Sequence, residues 1–459
     1  MLFSLFRQNG EELYLVGGYV RDRLLGRETG DYDFTTSARP DITKEILESN
    51  GFRVFPIGME FGTVAAVLES DSGSVEIQIT TYRCAESYRK GSRHPEVVFG
   101  NDLEEDLVRR DFTVNAIAMD ESGSIIDPLG GVEDLRCKII RTPMSPEETF
   151  SEDPLRMLRA FRFACRLGFS IRGKTLEAIE RQHHHIIDIS RERWKMEMDS
   201  LLTAEDGAEV SRVLQLMKDT EILQDMIPRL GEMFMLDGMT QGKAHYGDIW
   251  EHTLDVVKRT KNTAPCLRWA ALLHDIGKPP CRTVDEDGNT HFYGHEKTGA
   301  DFAGETAESF RFSKKEKKCL SFLVKNHMRP VLYSSEWSDR AVRKLAAESG
   351  EYLELLLDLA AADIAAHAEP YCIDGAARMA ELRRRLRILT PDVRRRVLPG
   401  DLGRILSKRA DGGPSSETGV ILGNLEELVH QGILPPMASP EVYLEYLAEH
   451  PELKLKQHI

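Results

Sequence analysis

The chain has 459 residues, of which 29% are charged and 41% hydrophobic, so its composition is that of a globular protein with room for about three domains. No apolar run reaches the roughly 18 residues of a membrane-spanning helix, and the first residues lack the pattern of a secretory signal peptide. The seven cysteines form no Cys-x-x-Cys motif, so we expect a cytoplasmic protein without a cysteine zinc site. The net charge is −15, yet residues 371–410 hold 11 Lys/Arg against 4 Asp/Glu. Such a basic segment could attract a polyanion, although a run of this kind is more commonly a solvated helical face.

The first 140 residues alternate short apolar runs with turns and helical stretches. The pattern predicts helices near Val20–Gly26 and Ile42–Asn50 and strands at Leu13–Val16, Tyr32–Thr35, Thr63–Leu68, Val75–Tyr82 and Ile125–Asp127. From residue 147 onward the pattern is helical almost to the end. We therefore predict a mixed head over 1–140, a helical neck and body over 141–240, a metal-binding helical domain over 245–370 and a basic helical tail over 371–459.

A glycine turn followed by two spaced carboxylates is the most informative feature of the head. Gly17-Gly18 follows the apolar run Leu13–Val16 and precedes a predicted helix. Paired glycines let backbone N–H groups approach a triphosphate, and a helix N-terminus adds a favourable dipole. Asp31 and Asp33 are two residues apart, so on a strand both carboxylates point from one face and can hold two divalent ions for attack on phosphorus. Either feature alone would more often be an ordinary turn or a solvated loop.

This stretch resembles the nucleotidyltransferase superfamily and, more narrowly, its bacterial branch of CCA-adding tRNA nucleotidyltransferases and poly(A) polymerases. The pattern of that branch is Gly-Gly-x-Val-Arg-Asp followed by Asp-x-Asp, and the chain has both. The resemblance implies an α+β head, with a small sheet and helices of nucleotidyltransferase type, followed by an all-α neck, body and tail. It also implies that Asp31 and Asp33 are catalytic and bind Mg²⁺, and that the nucleotide is bound by Gly17, Gly18, Arg21 and Asp22.

Residues 107–117 match a second family motif, Arg-Arg-Asp-Phe-Thr-x-Asn-Ala. An arginine and an aspartate side by side can contact a phosphate and a ribose hydroxyl at once. The resemblance implies that Arg110 and Asp111, with Asn115 of the same motif, bind the nucleotide and select ribonucleotides. Without the first motif, a surface ion pair at a helix cap would be the better interpretation.

A third motif opens the helix that is predicted after Pro154. Asp153, Arg156 and Arg159 fall within about 120° of helical arc, so one face carries an acid and two guanidinium groups. The match to the family motif Glu-Asp-x-x-Arg implies that Asp153 and Arg156 pair with the incoming cytosine or adenine, and that Arg159 or Arg162 reaches the phosphates. The alternative is an i, i+3 salt bridge worth a few tenths of a kcal/mol.

The chain departs from the family on the strand after the aspartate pair. Gln78 stands where the family has Glu, and Glu76 lies two residues earlier on the same strand face, so either Glu76 substitutes or a third carboxylate is absent. Residues 88–95 resemble the flexible loop that is associated with the switch from C to A addition. Residues 412–423 loosely resemble the tail segment that touches the tRNA elbow, and a helical hairpin packed on the body explains them equally well.

A second constellation, of histidines and aspartates, follows the head and neck. An apolar helix is predicted to end at His274-Asp275; imidazole and carboxylate there can bind a divalent ion that activates water for phosphoester hydrolysis, and Lys278 can hold a phosphate. The order resembles the HD phosphohydrolase domain. That resemblance implies a divalent metal of unknown identity at His252, His274, Asp275 and Asp363, with His295 and His327 at the extra positions of two-metal members. A helical body that kept these residues without activity is the alternative.

Together these motifs predict a tRNA nucleotidyltransferase that adds the 3′-terminal CCA, or its terminal A, from CTP and ATP, with no membrane partner. Three alternatives stay open: a poly(A) polymerase, an HD phosphohydrolase with a decayed head, and a non-catalytic tRNA-binding protein. The intact aspartate pair argues against the last of these.

Overall fold

The computed structural model describes residues 1–28, 30, 32–55, 58–70, 73–88, 95–236, 238, 247–261, 263–390, 398–399, 402–409, 416–430, 433–435 and 438–450. The strands are Leu13–Val16 (β1), Tyr32–Thr36 (β2), Arg53–Phe55 (β3), Thr63–Ser70 (β4), Gly73–Thr81 (β5), Arg83–Tyr88 (β6), Pro95–Phe99 (β7), Ala118–Met119 (β8), Ile125–Ile126 (β9), Ile139–Ile140 (β10), Ser170–Ile171 (β11), Thr283–Val284 (β12) and Thr290–His291 (β13). The α-helices are Leu2–Gln8 (α1), Gly17–Leu24 (α2), Pro40–Ser49 (α3), Leu103–Val108 (α4), Gly131–Cys137 (α5), Pro146–Glu152 (α6), Leu155–Leu167 (α7), Gly173–Gln182 (α8), Arg191–Leu202 (α9), Gly207–Asp219 (α10), Ile222–Met226 (α11), Pro228–Phe234 (α12), Ile249–Arg259 (α13), Pro265–Leu273 (α14), His295–Ser309 (α15), Lys314–Asn326 (α16), Met328–Val331 (α17), Asp339–Ser349 (α18), Leu353–Ala365 (α19), Tyr371–Leu389 (α20), Leu402–Arg409 (α21), Ser416–His430 (α22) and Pro440–Glu449 (α23).

The head is built on a seven-stranded mixed sheet in the order β3-β4-β5-β2-β1-β8-β9. β2 and β5 run parallel, and the other neighbouring strands are antiparallel. Because β1 and β2 are antiparallel, the end of β1 lies beside the start of β2, which brings Gly17 next to Asp33. The parallel pairing of β2 with β5 places Gln78 directly beside Asp33. Sheet topology thus assembles the glycine turn and Asp33 at one end of the sheet.

The predicted fold class is confirmed: a small mixed sheet in the head is followed by a mostly helical chain. The five predicted strands are present with small changes at their ends, and the two predicted head helices begin two or three residues earlier than expected. The strands β3 and β8 and the hairpin of β6 and β7 were not predicted. β3 and β8 are too short to show a periodic pattern, and β6 reads Arg-Cys-Ala-Glu-Ser-Tyr, with no alternation of apolar and polar residues.

The neck helix α7 connects the head with the helical body. Its apolar residues recur every three or four positions, at Leu155, Leu158, Phe161 and Cys165, and all four are buried. That face packs against α9 and α10, while Phe163 on another face meets the head residue Phe112 edge to face at 5.8 Å. The helix is therefore held from both sides, which gives its polar side chains fixed positions.

Five helices of the region after residue 245 position the histidines and aspartates of the second constellation, which lie on α13, α15 and α19 or directly follow α14 and α16. α13 and α16 each begin with a capping box, formed by Asp248 with Glu251 and by Ser313 with Glu316. α14 is apolar apart from Arg268, and its residues 267–273, that arginine included, are fully buried. Among the described helices, none combines the length and apolar character that crossing a membrane requires.

A disulfide joins Cys266 on α14 to Cys319 on α16, across 53 residues of sequence. No cysteine motif marks this pair, and the sequence analysis did not identify it. The last part of the chain forms a separate small core of α21, α22 and α23, which contains Leu402, Leu425 and Tyr443. Residues 416–423 of the tail segment lie in α22, and residues 412–415 lie outside the described residues.

Candidate active sites

A cavity of about 490 Å³ lies between the head and the neck helix α7. It collects residues from all three head and neck motifs, although they are up to about 145 positions apart in sequence. Its walls are strongly cationic, with seven arginines against three aspartates. The lining residues that the sequence predicts are Gly17, Gly18, Arg21, Asp33, Arg110, Asp111, Asn115, Asp153, Arg156, Arg159 and Arg162; those it did not predict are Arg109, Leu155, Phe163 and Arg193.

The glycine turn forms the floor of this cavity. Gly17 has φ +67°, a left-handed conformation that glycine adopts without strain. A Cβ at this position would lie 3.5 Å from Arg110 Nη1 and 3.8 Å from Asp33 Oδ2, so it would fill the space between the cation and the carboxylate. The residues present therefore leave an open cradle beside Asp33, as a phosphate with its metal ion requires. Asp31, the other predicted catalytic residue, lies outside the described residues.

The possible third carboxylate also has a defined place in the sheet. Gln78 is the neighbour of Asp33 across the β2–β5 pair, and its side chain is exposed. Glu76, also exposed, lies two residues back, which is about 7 Å along the strand. If Asp33 holds a metal ion, its neighbour on β5 is therefore the amide of Gln78, with Glu76 two residues further along the strand. Residues 89–94 of the predicted flexible loop lie outside the described residues.

Arg21 is oriented by contacts on both sides. It donates through Nε and Nη2 to the two carboxylate oxygens of Asp22, each at 2.8 Å, and through Nη1 to Asn115 Oδ1 at 2.8 Å. Asp22 itself is not among the residues that line the cavity. The structure thus places Asp22 behind Arg21 as its ion-pair partner, whereas the sequence grouped both as nucleotide-binding residues.

Asp111 is held by an arginine and an amide. Its Oδ2 accepts from Arg159 Nη2 at 2.6 Å and Nε at 2.9 Å, and its Oδ1 accepts from Asn115 Nδ2 at 2.9 Å. Burial alone would raise the pKa of Asp111, but the charge of Arg159 and these hydrogen bonds lower it to about 2. The carboxylate is therefore ionised at neutral pH and suited to accept from a ribose hydroxyl.

A buried aspartate that the sequence did not single out anchors two arginines. Asp106, on α4, accepts from Arg109 Nη2 at 2.8 Å through Oδ1, and from Arg110 Nη2 at 2.9 Å and Thr35 Oγ1 at 3.2 Å through Oδ2. Burial would raise the pKa of Asp106, but the charges of Arg110 and Arg109 hold it well below its usual value. Asp106 thereby fixes the consecutive arginines of the second motif in one arrangement.

The two residues predicted to pair with the base contact different partners. Asp153 pairs with Arg193 of α9, at 2.7 Å and 3.3 Å, rather than with Arg156. Arg156 donates to the backbone carbonyl of Arg109 at 2.9 Å and to Glu152 Oε2 at 3.0 Å. Arg156 thus forms an i, i+4 salt bridge with Glu152 instead of the i, i+3 pair with Asp153 that was the alternative, and both predicted residues are anchored near the start of α7.

Arg162 and Phe163 complete this wall. Arg162 Nε donates to Glu197 Oε2 at 2.5 Å, and its guanidinium lies 4.1 Å from the centre of the Phe163 ring. The guanidinium of Arg21 lies 5.2 Å from the same ring. Arg193 and Glu197 are four residues apart on α9, a helical spacing that marks one face, but their partners are about 35 to 40 residues distant, so sequence alone could not place them.

The second constellation converges in the region after residue 245 as predicted. His252 lies on α13, His274 follows α14, His295 begins α15, and Asp363 lies on α19. All six predicted residues, including Asp275 and His327, are at least nine-tenths buried. Buried ionisable groups in such number are costly unless they are paired or bind metal.

Three of the histidines are oriented in the same way. The Nδ1 atoms of His274, His295 and His327 lie 2.9, 2.8 and 2.7 Å from the backbone oxygens of Ala271, Phe292 and Val324, respectively. Each Nδ1–H therefore donates to a carbonyl, which leaves the lone pair of Nε2 facing the centre of the cluster. The Nε2 atoms of His295 and His327 are only 3.3 Å apart. This is the arrangement of metal-ligating histidines, whose second ring nitrogen is fixed by a protein acceptor.

Asp275 divides the cluster into two positions. Its Oδ2 lies 3.2 Å from His274 Nε2 and 3.9 Å from His252 Nε2, whereas its Oδ1 lies 3.4 Å from His295 Nε2 and 3.9 Å from His327 Nε2. One carboxylate oxygen thus faces each histidine pair, so the residues present fit divalent metal ions, which Asp275 would hold together with His252 and His274 on one side and with His295 and His327 on the other. The nitrogen-rich donor set favours a transition metal over magnesium.

A cavity of about 750 Å³ opens beside this cluster. Lys278 reaches from its wall to Asp275 Oδ2 at 2.7 Å, so this lysine pairs with the central carboxylate rather than pointing away from it. His367 also lines the cavity, and the sequence analysis did not identify it. Burial and the charge of His274 lower the pKa of His327 to about 4, consistent with a neutral imidazole there.

The basic segment after residue 370 is partly neutralised within the chain. On α20, Arg383 Nη2 donates to Asp358 at 2.8 Å, and Arg385 Nη2 donates to Asp339 at 2.7 Å. These arginines therefore fasten α20 to α19 and α18, while Arg384 and Arg387 on the same helix are exposed. Some arginines of this segment therefore stabilise the fold through ion pairs, and others face solvent, where a polyanion can reach them.

Three family models match the chain: "Poly A polymerase head domain" over residues 13–141, "Probable RNA and SrmB- binding site of polymerase A" over 168–233, and "HD domain" over 249–368. A CCA-adding enzyme from Geobacillus stearothermophilus is 44% identical over 298 residues, which cover 62% of this chain and 67% of that protein. One from Bacillus pumilus is 41% identical over 225 residues, 49% of this chain and 54% of that protein. The chain thus spans between half and two thirds of the length of the curated relatives it matches.

A solved structure extends the similarity to the whole fold. The crystal structure of the Bacillus stearothermophilus CCA-adding enzyme in complex with CTP matches with a TM-score of 0.63 at 26% identity, over 98% of this chain and 96% of that one. The head motifs, the helical body and the tail of the present structure thus have counterparts in one known architecture. The chain belongs to the family of CCA-adding enzymes, the tRNA nucleotidyltransferases with a poly(A) polymerase head, and it carries an HD domain.

Proposed function

We propose that this protein is a cytoplasmic, template-independent tRNA nucleotidyltransferase that adds the 3′-terminal CCA, or its terminal A, from CTP and ATP. The observation that supports this most is the arginine-lined cavity, in which three sequence motifs from the head and neck meet. The crystal structure of a relative in complex with CTP supports a nucleotide as the ligand of this protein.

We infer the roles of the residues from the family resemblance, and the geometry of the cavity supports them. The backbone of the glycine turn and Arg21 bind the triphosphate, and Arg110 adds a cation beside Asp33. Asp111 accepts from the 2′-hydroxyl of the ribose, which a deoxyribonucleotide lacks. Asp153 and Arg156 offer an acceptor and a donor to the edge of the base.

The reaction is attack of the RNA 3′-hydroxyl on the α-phosphorus, with pyrophosphate as the leaving group. Asp31 and Asp33 would hold Mg²⁺; bound there, magnesium lowers the pKa of the attacking hydroxyl and offsets charge on the phosphate. The cationic wall of the cavity stabilises the negative charge on the leaving pyrophosphate, because these guanidinium groups are already fixed before the substrate arrives. Gln78 beside Asp33 makes a two-carboxylate site with Glu76 at most an accessory ligand.

The test is extension of three tRNA transcripts that end before CCA, after C and after CC, with purified protein, Mg²⁺, CTP and ATP, resolved on a sequencing gel. Extension of the first transcript by three nucleotides supports full CCA addition. Extension of the third alone, by one A, supports terminal A addition. A long ladder of A on unrelated RNA would instead make this a poly(A) polymerase, and no extension would refute nucleotidyl transfer.

We propose a second, independent activity for the HD domain, hydrolysis of a terminal or cyclic phosphate ester. The observation that favours it is the bridging position of Asp275 between two histidine pairs, beside an open cavity. A divalent ion bound there would supply an activated water. Release of inorganic phosphate from a terminal phosphate ester, or ring opening of a cyclic phosphate ester to a monoester, should be lost in Asp275→Asn and kept in Asp33→Asn, whereas primer extension should show the opposite. If Asp275→Asn hydrolyses either ester like the wild type, this second activity is refuted.

A further inference from the structure

His367 lies beside the HD cluster but is absent from the ordered motif. It follows the end of α19, four residues after Asp363, so the chain turns it back towards the same centre. The His367 ring is parallel to that of His252, with an interplanar angle of 12° and centroids 5.5 Å apart. Its Nε2 is 3.7 Å from Asp363 Oδ1, and His252 Nε2 is 3.1 Å from that same oxygen.

These distances match the spacing of ligands around one ion. The ligand atoms of His252, Asp363 and His367 all lie within 4.8 Å of one another. In a tetrahedral site with ligand bonds near 2.1 Å, neighbouring ligand atoms are separated by about 3.4 Å, and the two measured distances bracket that value. A separation of 3.7 Å is too long for a hydrogen bond between His367 and Asp363, so this contact is better explained as two ligands of a common ion.

His367 also differs from the motif residues in its exposure. It lines the 750 Å³ cavity, and 15% of its side chain is exposed, whereas those of His252 and Asp363 are 3% and 5% exposed. A ligand at this position therefore lies on the side of the cluster that a substrate approaches. The inference rests on the proposed HD function and deepens it, because it says which residue completes the coordination next to the substrate.

We propose that His367 is a further metal ligand of the HD centre, and that with His252 and Asp363 it forms the coordination position that faces the cavity. These three residues would hold the ion beside the open cavity, where it would be accessible to a phosphate oxygen of a substrate. The motif of six residues is then incomplete for this chain, and seven side chains build the centre.

The experiment measures metal binding rather than activity. The full-length protein is stripped with a chelator and then titrated with Co²⁺, while its visible absorption spectrum and bound cobalt are recorded. Three variants are compared with the wild type: His367→Ala, Asp363→Asn as a variant of a motif ligand, and His291→Ala as the matched control. His291 lines the same cavity, but its Nε2 is bound to Asp285 Oδ2 at 2.8 Å.

His367→Ala should bind at least one ion about tenfold more weakly and show an altered cobalt spectrum, and His291→Ala should match the wild type. Millimolar imidazole should restore the spectrum of His367→Ala, since the cavity gives a free imidazole access to the vacant position. The unfolding temperature without metal checks that each variant is folded. A His367→Ala protein with wild-type affinity and spectrum would overturn the inference.

The outcomes separate this inference from the HD function itself. If Asp363→Asn loses affinity and His367→Ala does not, the centre binds metal through the motif residues and only the role of His367 is wrong. If the wild type binds no cobalt, or if Asp363→Asn binds it unchanged, both the metal centre and the ligand role of His367 are wrong.

Discussion

At Gly277, two residues after Asp275, the backbone lies very close to the backbone of α15 in the HD centre. A Cβ at this position would lie 2.2 Å from the carbonyl oxygen of His295 and 2.4 Å from the backbone nitrogen of Gly299. Both atoms belong to the first turn and a half of α15, which presents His295 to the cluster. Since ordinary contacts begin near 3.4 Å, Gly277→Ala requires the start of α15 to move by about 1 Å. Overpacking of this kind destabilises a protein by about 1–3 kcal/mol.

The matched control is Gly304→Ala, on the same α15. A Cβ there would meet only Ser321 Oγ at 3.5 Å and Lys317 Cε at 3.6 Å, which are ordinary contacts. Alanine in the interior of a helix is favoured over glycine by about 1 kcal/mol, so this variant should be as stable as the wild type or more stable. Gly277→Ala crowds the backbone of α15 at His295 and Gly299, whereas Gly304→Ala adds only ordinary contacts with α16, so the two variants should have effects of opposite sign.

The assays are equilibrium unfolding in denaturant and titration with Co²⁺. Gly277→Ala should lower the free energy of unfolding and weaken metal binding, because His295 no longer lies at its distance from Asp275. Gly304→Ala should change neither in that direction. If Gly277→Ala is as stable as the wild type and binds cobalt equally well, α15 is not held in the position described, and the account of the HD centre fails.

Three further predictions concern the head and the disulfide. Arg193→Met should destabilise the protein by about 3 kcal/mol and weaken the preference between CTP and ATP, because it leaves the buried Asp153 carboxylate without its ion partner; unchanged preference would contradict this role. The pKa of Asp111 is lowered to about 2, so its ionised carboxylate contributes about 2 kcal/mol to the free energy of unfolding above pH 4, and this contribution disappears between pH 4 and 2. The free energies of unfolding of the wild type and Asp111→Asn should therefore differ less at pH 3 than at pH 7. Peptide mapping of oxidised protein should find Cys266 linked to Cys319, and reduction should destabilise it by about 4 kcal/mol for a 53-residue loop; two free thiols in oxidised protein would refute the link.

Sequence patterns predicted the elements of this protein better than the partners of its side chains. The strand of Leu13–Val16 and the end of the apolar helix at His274 follow from local periodicity, which needs only neighbouring residues. The ion pairs of Asp153 with Arg193 and of Arg162 with Glu197 join residues 40 and 35 positions apart. Such pairs depend on how helices pack, so no local pattern contains them.

The same reasoning explains which residues of the sites were missed. Asp106 reads as one more acid in the first turn of α4, and only the fold shows that it is buried beneath two arginines. His367 falls outside the ordered motif, although its spacing of four from Asp363 is that of one helical turn. The metal-ligand spacing was therefore visible in the sequence, but nothing in the chain alone showed that the helix end turns towards the cluster.

The central claim is that Asp33, in the cradle beside the glycine turn, supports nucleotide addition to tRNA. The most direct measurement is single-turnover incorporation of radiolabelled CTP and ATP into a tRNA transcript that ends before CCA, with wild type, Asp33→Asn and Asp41→Asn. Asp41 is an exposed acid in the first turn of α3 and serves as the control. The account predicts that Asp33→Asn loses at least 100-fold in rate, on the order of 3 kcal/mol, while Asp41→Asn incorporates label like the wild type. Incorporation by Asp33→Asn at the wild-type rate would contradict it.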